Sequence, residues 1–287
     1  MSVWTPGDSR GDPLSDPSTV ADWSRLYLSS AWRSLRGPRF GDVERFCFFI
    51  GYARSGHSLT GSLLNAHSEI VISHELDAVR FVDKGFRRSQ LFSLILRRDG
   101  DFASVGRVWA GYNYAVPDQF QGRFNRLRVI GDKKGGRSAL ELSEQPELLD
   151  RLRRTVRVPI RVIHVTRNPF DNIVTLAARR DGSLTGATKQ YARSCRAVAA
   201  VRPLLAPDEL IELAHESFSE NPRAALADLC VFLGVEPEES YLDGCAAAVW
   251  PSAKRRRDSV TWSAEERRGV EELIDRYSFL SGYSFDD

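Results

Sequence analysis

A chain of 287 residues with 42% hydrophobic and 27% charged side chains is large enough for one sizeable globular core, which excludes disorder along its whole length. Its 40 Lys and Arg nearly balance 38 Asp and Glu, so the composition argues against a general nucleic-acid binder and any anion site must be local. The four cysteines, Cys47, Cys195, Cys230 and Cys245, lack C-x-x-C spacing; this argues against a zinc site or a disulfide framework and for a reducing, cytoplasmic compartment.

Residues 1–19 are polar and rich in Pro, Gly, Ser and Asp, without a basic stretch leading into an apolar one. They are expected as a flexible tail ahead of a single domain over 20–287. No apolar stretch reaches the roughly 20 residues that span a bilayer. Val20 to Leu35 sets Trp23, Leu26, Tyr27, Ala31 and Leu35 at helical spacing, for a helix that covers an edge of the core or lies on a membrane surface. FCFFIGY reads as a strand and SLTGSLLNAH as a helix. EIVIS is a strand, ELDAVRFVDKGF and SQLFSLILRR are helical, and Asp99 to Gln121 is a long loop with interleaved aromatics. RVIGD is a strand, SEQPELLDRLRRTV a helix with Ser143 as N-cap, and IRVIHVT a β-branched strand. PFDNIVTLAARR starts a helix with Pro169 in its first turn, and TGATKQYARSCRAVAAVRPLL is a long helix. ELIELA is a strand, and NPRAALADLCVFLG a helix closed by Gly234. This alternation predicts an α/β fold with a central parallel sheet flanked by helices.

Between the first strand and helix stands GYARSGHS, residues 51–58, with the G-x-x-x-x-G-x-S spacing of a phosphate-binding loop. Glycines let successive backbone N–H groups turn inward, and the following helix points its positive end at the same spot. His57 stands where a nucleoside-triphosphatase has its lysine, and the loop's cation is Arg54. A triphosphatase also needs a strand-end acid for magnesium. IRVIHVT ends in Arg167, a cation; RVIGD ends in Asp132, which keeps a kinase-like reading open, but Lys133 and Lys134 follow and would compete with a metal for phosphate oxygens.

Three segments carry a family resemblance. FIGYARSGHSLTGSLLNAH resembles the 5′-phosphosulfate loop of sulfotransferases that use 3′-phosphoadenosine 5′-phosphosulfate (PAPS). RVIHVTRNPFDNIVT resembles their 3′-phosphate strand and helix, and HESFSENPRAALADLCVFLGV is similar to their Y-E-x-(L/F)-x-x-x-P…FLG segment. Together these cover much of Phe46 to Val235. The resemblance implies a metal-independent sulfotransferase of P-loop-like architecture with PAPS as co-substrate and no metal. It assigns Arg54, Ser55, Gly56, His57, Ser58 and Leu59 to the phosphosulfate, and Arg167 and Thr175 to the 3′-phosphate. His215 would face adenine, although the family usually has Tyr there, and His57 replaces a Thr. By register with family members acting on protein tyrosines, Glu75 is the implied base, with His74 second. Lys133 would stabilise the leaving group, a role Lys134 could exchange with it.

The basic run in PSAKRRRDSVTW, residues 251–262, aligns with the family's lid over the 3′-phosphate and makes Arg255 or a neighbour a donor contact. The implied acceptor is a hydroxyl, or else an amine, of a small molecule, glycan or lipid, and the aromatic stretch Asp99 to Arg128 is where its pocket is expected. Two other readings stay open: a divergent P-loop kinase or triphosphatase, and a non-catalytic nucleotide-binding protein of the same fold.

Overall fold

The structure, a computed structural model, describes residues 14, 17–179, 182–249 and 255–287. Helix α1 (Val20–Arg36) starts at Thr19, whose Oγ1 accepts from the Asp22 N–H at 3.1 Å while the Asp22 carboxylate accepts from the Thr19 N–H at 3.0 Å. Its inner face packs Trp23 and Tyr27 edge-on against Phe86; its outer face exposes Leu28, Trp32 and Leu35. Strand β1 (Arg45–Ile50) leads through the glycine loop into α2 (His57–Leu64) and β2 (Ile70–His74). Helices α3 (Ala78–Asp83) and α4 (Arg88–Ser104) follow, then a short hairpin, β3 (Val108–Trp109) with β4 (Tyr112–Asn113). Next come β5 (Val129–Lys133), α5 (Gly135–Glu144), α6 (Glu147–Val156), β6 (Ile160–Thr166), α7 (Pro169–Ala177) and α8 (Leu184–Val201). The chain continues with β7 (Leu210–Ala214), α9 (His215–Glu220), α10 (Pro222–Leu233), α11 (Glu239–Ala247) and α12 (Ala264–Arg276).

Five strands form one parallel sheet in the order β2-β5-β1-β6-β7. Burial on both faces explains why β1 reads as an unbroken apolar run. Phe46, Phe48 and Ile50 point into one core layer, and Cys47 and Phe49 into the other, as the period of two dictates. The sheet is thus the α/β core that the alternation predicted. All four cysteines are free and buried. Among the described residues no helix is long and apolar enough to cross a membrane.

Several local expectations are corrected. The segment expected as one helix from Ser143 is two: Ser143 lies in the last turn of α5, its hydroxyl donating to the Leu140 carbonyl at 2.8 Å, and Pro146 precedes α6. A glycine pair at the start of α5 had hidden that helix. Asp99 to Ser104 extends α4 before the loop begins. At the described end of the expected tail, Leu14 is buried in the core and Arg80 donates to the Pro17 carbonyl at 3.0 Å. The rest of the expected tail (1–13, 15 and 16), and Trp250 with 251–254 of the expected lid, lie outside the described residues.

Candidate active site

Because the five strands run parallel, their C-terminal ends share one edge, and ligands of such sheets bind there, where neighbouring connections diverge. Along that edge stand His74 at the end of β2 and Glu75 just after it, Lys133 and Lys134 at β5, the glycine loop after β1, Arg167 after β6 and His215 after β7.

In the loop, Arg54 and Gly56 take left-handed backbone angles, φ 72° and φ 110°. Gly56 is the N-cap of α2, and a side-chain carbon there would meet the His215 ring at 2.8 Å, so the absence of Cβ lets His215 close against the turn. The first N–H groups of α2 have no partner within the helix and are available to an anion. Two loop side chains turn inward instead. Ser55 donates to the Tyr52 carbonyl at 3.0 Å and is fully buried. The His57 ring occupies a slot where a side chain on Gly51 or Gly135 would clash with it, and its Nε2 hydrogen-bonds the Ile50 carbonyl at 3.0 Å. Burial, with Lys133 close by, pulls His57 down to about 3, so the ring is neutral and fills the turn. The position is therefore taken by an internal brace, and the His57 and Ser55 side chains are not turned toward the loop's mouth. Arg54 lies over the Tyr112 ring at 5.6 Å, and its Nε is a buried donor without a hydrogen-bond partner among the described residues.

Lys133, its side chain 4% exposed, donates to Ser58 Oγ at 3.0 Å and to Glu75 Oε1 at 2.8 Å; Lys134 reaches Glu75 Oε2 at 3.1 Å. Burial would raise the Glu75 carboxyl, but Lys133 and Lys134 outweigh it and hold the group well below the usual carboxylate range. For Lys133 the balance runs the other way: burial lowers it, and Glu75 offsets part of that. Glu75 itself is left-handed, φ 60°, a conformation set from below by Asp132. The Asp132 carboxylate accepts from Ser73 Oγ at 2.8 Å and from the N–H groups of Leu76, Asp77 and Ala78 at 2.9, 2.8 and 2.9 Å. That role was not visible in the sequence, where Asp132 stood as a possible metal ligand; four donors already occupy its two oxygens.

His74 is buried beside this cluster, stacked on Phe102 at 4.3 Å and edge-on to Trp109 at 5.1 Å. Burial, then the Lys133 charge, keeps it well below the usual histidine value, and its Nε2 is buried without a hydrogen-bond partner among the described residues. Tyr114, from the same aromatic segment, stands close to Ser58 and Arg54. The segment is pinned: Arg107 Nη2 and Asn65 Nδ2 donate to Asp99 Oδ1 at 2.7 and 2.6 Å, and Gln121 ties Ser62 to Tyr114.

At the other end, Arg167 Nη1 donates to the Arg54 carbonyl at 3.1 Å and to Thr175 Oγ1 at 3.4 Å, while Thr175 donates back to the Asp171 carbonyl at 2.7 Å. Asp171, in the first turn of α7, accepts from the Arg257 N–H at 2.8 Å and so docks the C-terminal basic run on that helix. This sets the register of the described part of the run, which the sequence left open. Arg255 pairs with Asp258 at 3.1 Å and donates to the Asp286 and Asp287 carbonyls. Arg256 is the member of the run whose charge acts on Arg167. Trp262 is core, edge-on to Phe170 at 5.2 Å.

No protein-family model matches the sequence, and no curated protein matches it. Among solved structures the fold is similar to the sulfotransferase domain of the Synechococcus PCC 7002 olefin synthase, with a TM-score of 0.53 at 19% identity, covering 83% of this chain and 96% of that one. It is also similar to sulfotransferase STF9 from Mycobacterium avium, with a TM-score of 0.50 at 11% identity over 88% and 81% of the two chains. The chain has the sulfotransferase fold.

Proposed function

We propose that this protein transfers a sulfuryl group from PAPS to a hydroxyl, or else an amine, of a small-molecule, glycan or lipid acceptor, without a metal. The observation that carries the reading is the cluster of Lys133, Ser58 and Glu75 at the mouth of the phosphate loop, with Lys133 Nζ 2.8 Å from Glu75 Oε1. The residues present fit such a donor. The buried Arg54 Nε lacks a hydrogen-bond partner among the described residues, the α2 N-terminus opens beside it, and Arg167 with Arg256 concentrates charge one strand away.

When bound, the donor supplies the sulfuryl group and a phosphate leaving group. The α2 amides and Arg54 would hold its 5′ end, and Arg167, Thr175 and Arg256 its 3′-phosphate. Glu75, ionised in the resting site, accepts the acceptor's proton as the new O–S bond forms. Lys133 stabilises the charge on the bridging oxygen as the old S–O bond breaks. Once the lysines turn toward the donor, Glu75 loses two stabilising charges and its proton affinity rises toward what a base needs. His74 Nε2 and the Phe102, Trp109 and Tyr114 rings line the acceptor side. A kinase reading would require Asp132 to abandon four hydrogen bonds in order to ligate magnesium. The reduced state suited to four free thiols supports a cytoplasmic location.

Calorimetric titration with 3′-phosphoadenosine 5′-phosphate and with ATP, each with magnesium and with chelator, tests the proposal. Binding of the bisphosphate that ignores chelator is expected; preference for Mg-ATP would overturn it.

A further inference from the structure

A second group of arginines converges away from this site. A cleft of about 710 Å³ opens between the turn joining α3 to α4 and the last turns of α6, lined by Arg87, Arg88, Arg151, Arg154 and Arg157. It lies at the opposite edge of the sheet. Arg88 Nε donates to the Val156 carbonyl at 2.8 Å, just ahead of β6, and its Nη2 to the Phe40 carbonyl at 3.0 Å, ahead of β1. Those are the N-terminal ends of strands whose C-terminal ends carry the candidate active site.

The charge here is poorly compensated. No acidic residue lines the cleft among the described residues. Arg151 has Asp83 at 3.5 Å, but Asp83 is shared with Lys84 at 2.9 Å. Arg88 spends its hydrogen bonds on two backbone carbonyls, which satisfy its N–H groups and leave its charge unmatched; burial and the Arg157 charge both lower its proton affinity. The dipole of α6 favours Arg154 and Arg157 at that helix's end, but it gives no reason for Arg87 and Arg88 to approach from another element. Arg157 moreover holds a left-handed backbone, φ 57°, at the α6 C-cap, where glycine would sit without strain. Guanidinium forks match the oxygens of phosphate and sulfate, and Ser89 and Thr155 add hydroxyls to the lining. The volume falls within the roughly 300–1,000 Å³ of small-molecule sites.

We propose that this cleft binds a small ligand carrying two or more phosphate or sulfate groups, separately from the donor site. The test uses the full chain with Arg54→Ala and Arg167→Ala, so that the donor site is disabled, titrated calorimetrically with tripolyphosphate in about 0.15 M salt, where surface charge is screened. Saturable binding is expected, weakened about tenfold or more by adding Arg87→Gln and Arg154→Gln, which remove two charge-assisted contacts. Both side chains are exposed, so an unchanged melting temperature is expected to show that the fold is intact. Sedimentation with vesicles containing phosphatidylinositol bisphosphate separates the sources: capture lost with the two glutamines assigns the phosphates to lipid headgroups. Binding that survives the glutamines in either assay, or absence of saturable binding in both, overturns the proposal. Neither assay involves sulfuryl transfer, so such a failure leaves the reading of the active site untouched.

Discussion

The two halves of the candidate site handle charge differently. Around Arg167 the cations Arg54 and Arg256 gather, and the two acids that act on it are already engaged, Asp171 by the Arg257 N–H and Glu216 by the Asn168 N–H and the Tyr283 hydroxyl. Around Lys133 the lysines are closed on Glu75 at 2.8 and 3.1 Å. The first half is preorganised for a permanent anion, whereas the second neutralises itself at rest and must rearrange to react. A binding half can afford to be static, and a reacting half cannot, because the base must be released when the leaving group is engaged.

The largest expected effect is at Glu75. Glu75→Gln is expected to cut kcat by about 10²–10⁴, the range of a lost general base; retained turnover at saturating acceptor would move that role to His74. Lys133→Ala should lower kcat by about 10²–10³ by leaving the departing oxygen unstabilised, measured in single-turnover transfer. On the static half, Arg167→Ala should raise the donor KM about 10–100-fold with kcat changed far less, a split that steady-state kinetics resolves. Asp132→Asn confronts backbone N–H groups with an amide, so denaturant unfolding should register a loss of about 1–3 kcal/mol together with reduced kcat as Glu75 loses its support.

The smallest effect concerns pH. The His57 ring binds a proton near 6.5 when unfolded and near 3 when folded, so the unfolded state takes up protons first and stability falls as pH drops through that window. His215, lowered to about 4 by burial and then by Arg167, adds to the same slope. His57→Gln should flatten part of it in urea melts compared across that range.

The sheet was legible because β1 is buried on both faces and so carries an unbroken apolar run, while β5 and β6 are rich in β-branched residues and lead into Lys133 and Arg167. The glycine loop was legible for a related reason: its spacing serves backbone geometry that only particular residues allow. Less could be read where tertiary contacts decide. The inward turn of His57 depends on a slot left by Gly51 and Gly135, 84 residues apart in the chain. The grip of Asp171 on the Arg257 amide, which sets where the basic run lies, has no counterpart in three consecutive arginines that carry no mark of which one is held. Asp132 looked like a metal ligand because a strand-end carboxylate is compatible with either role until the N–H groups of residues 76–78 are placed on it.

The claim that Glu75 and the donor compete for the same two lysines is tested most directly by titrating the wild-type protein and Glu75→Gln with 3′-phosphoadenosine 5′-phosphate. With the carboxylate gone the lysines are free, so the variant should bind as tightly as the wild type or up to about tenfold tighter, the worth of one charge-assisted contact. Weaker binding by the variant would mean that Glu75 helps to build the donor site, which would contradict the self-neutralised resting state described for that half.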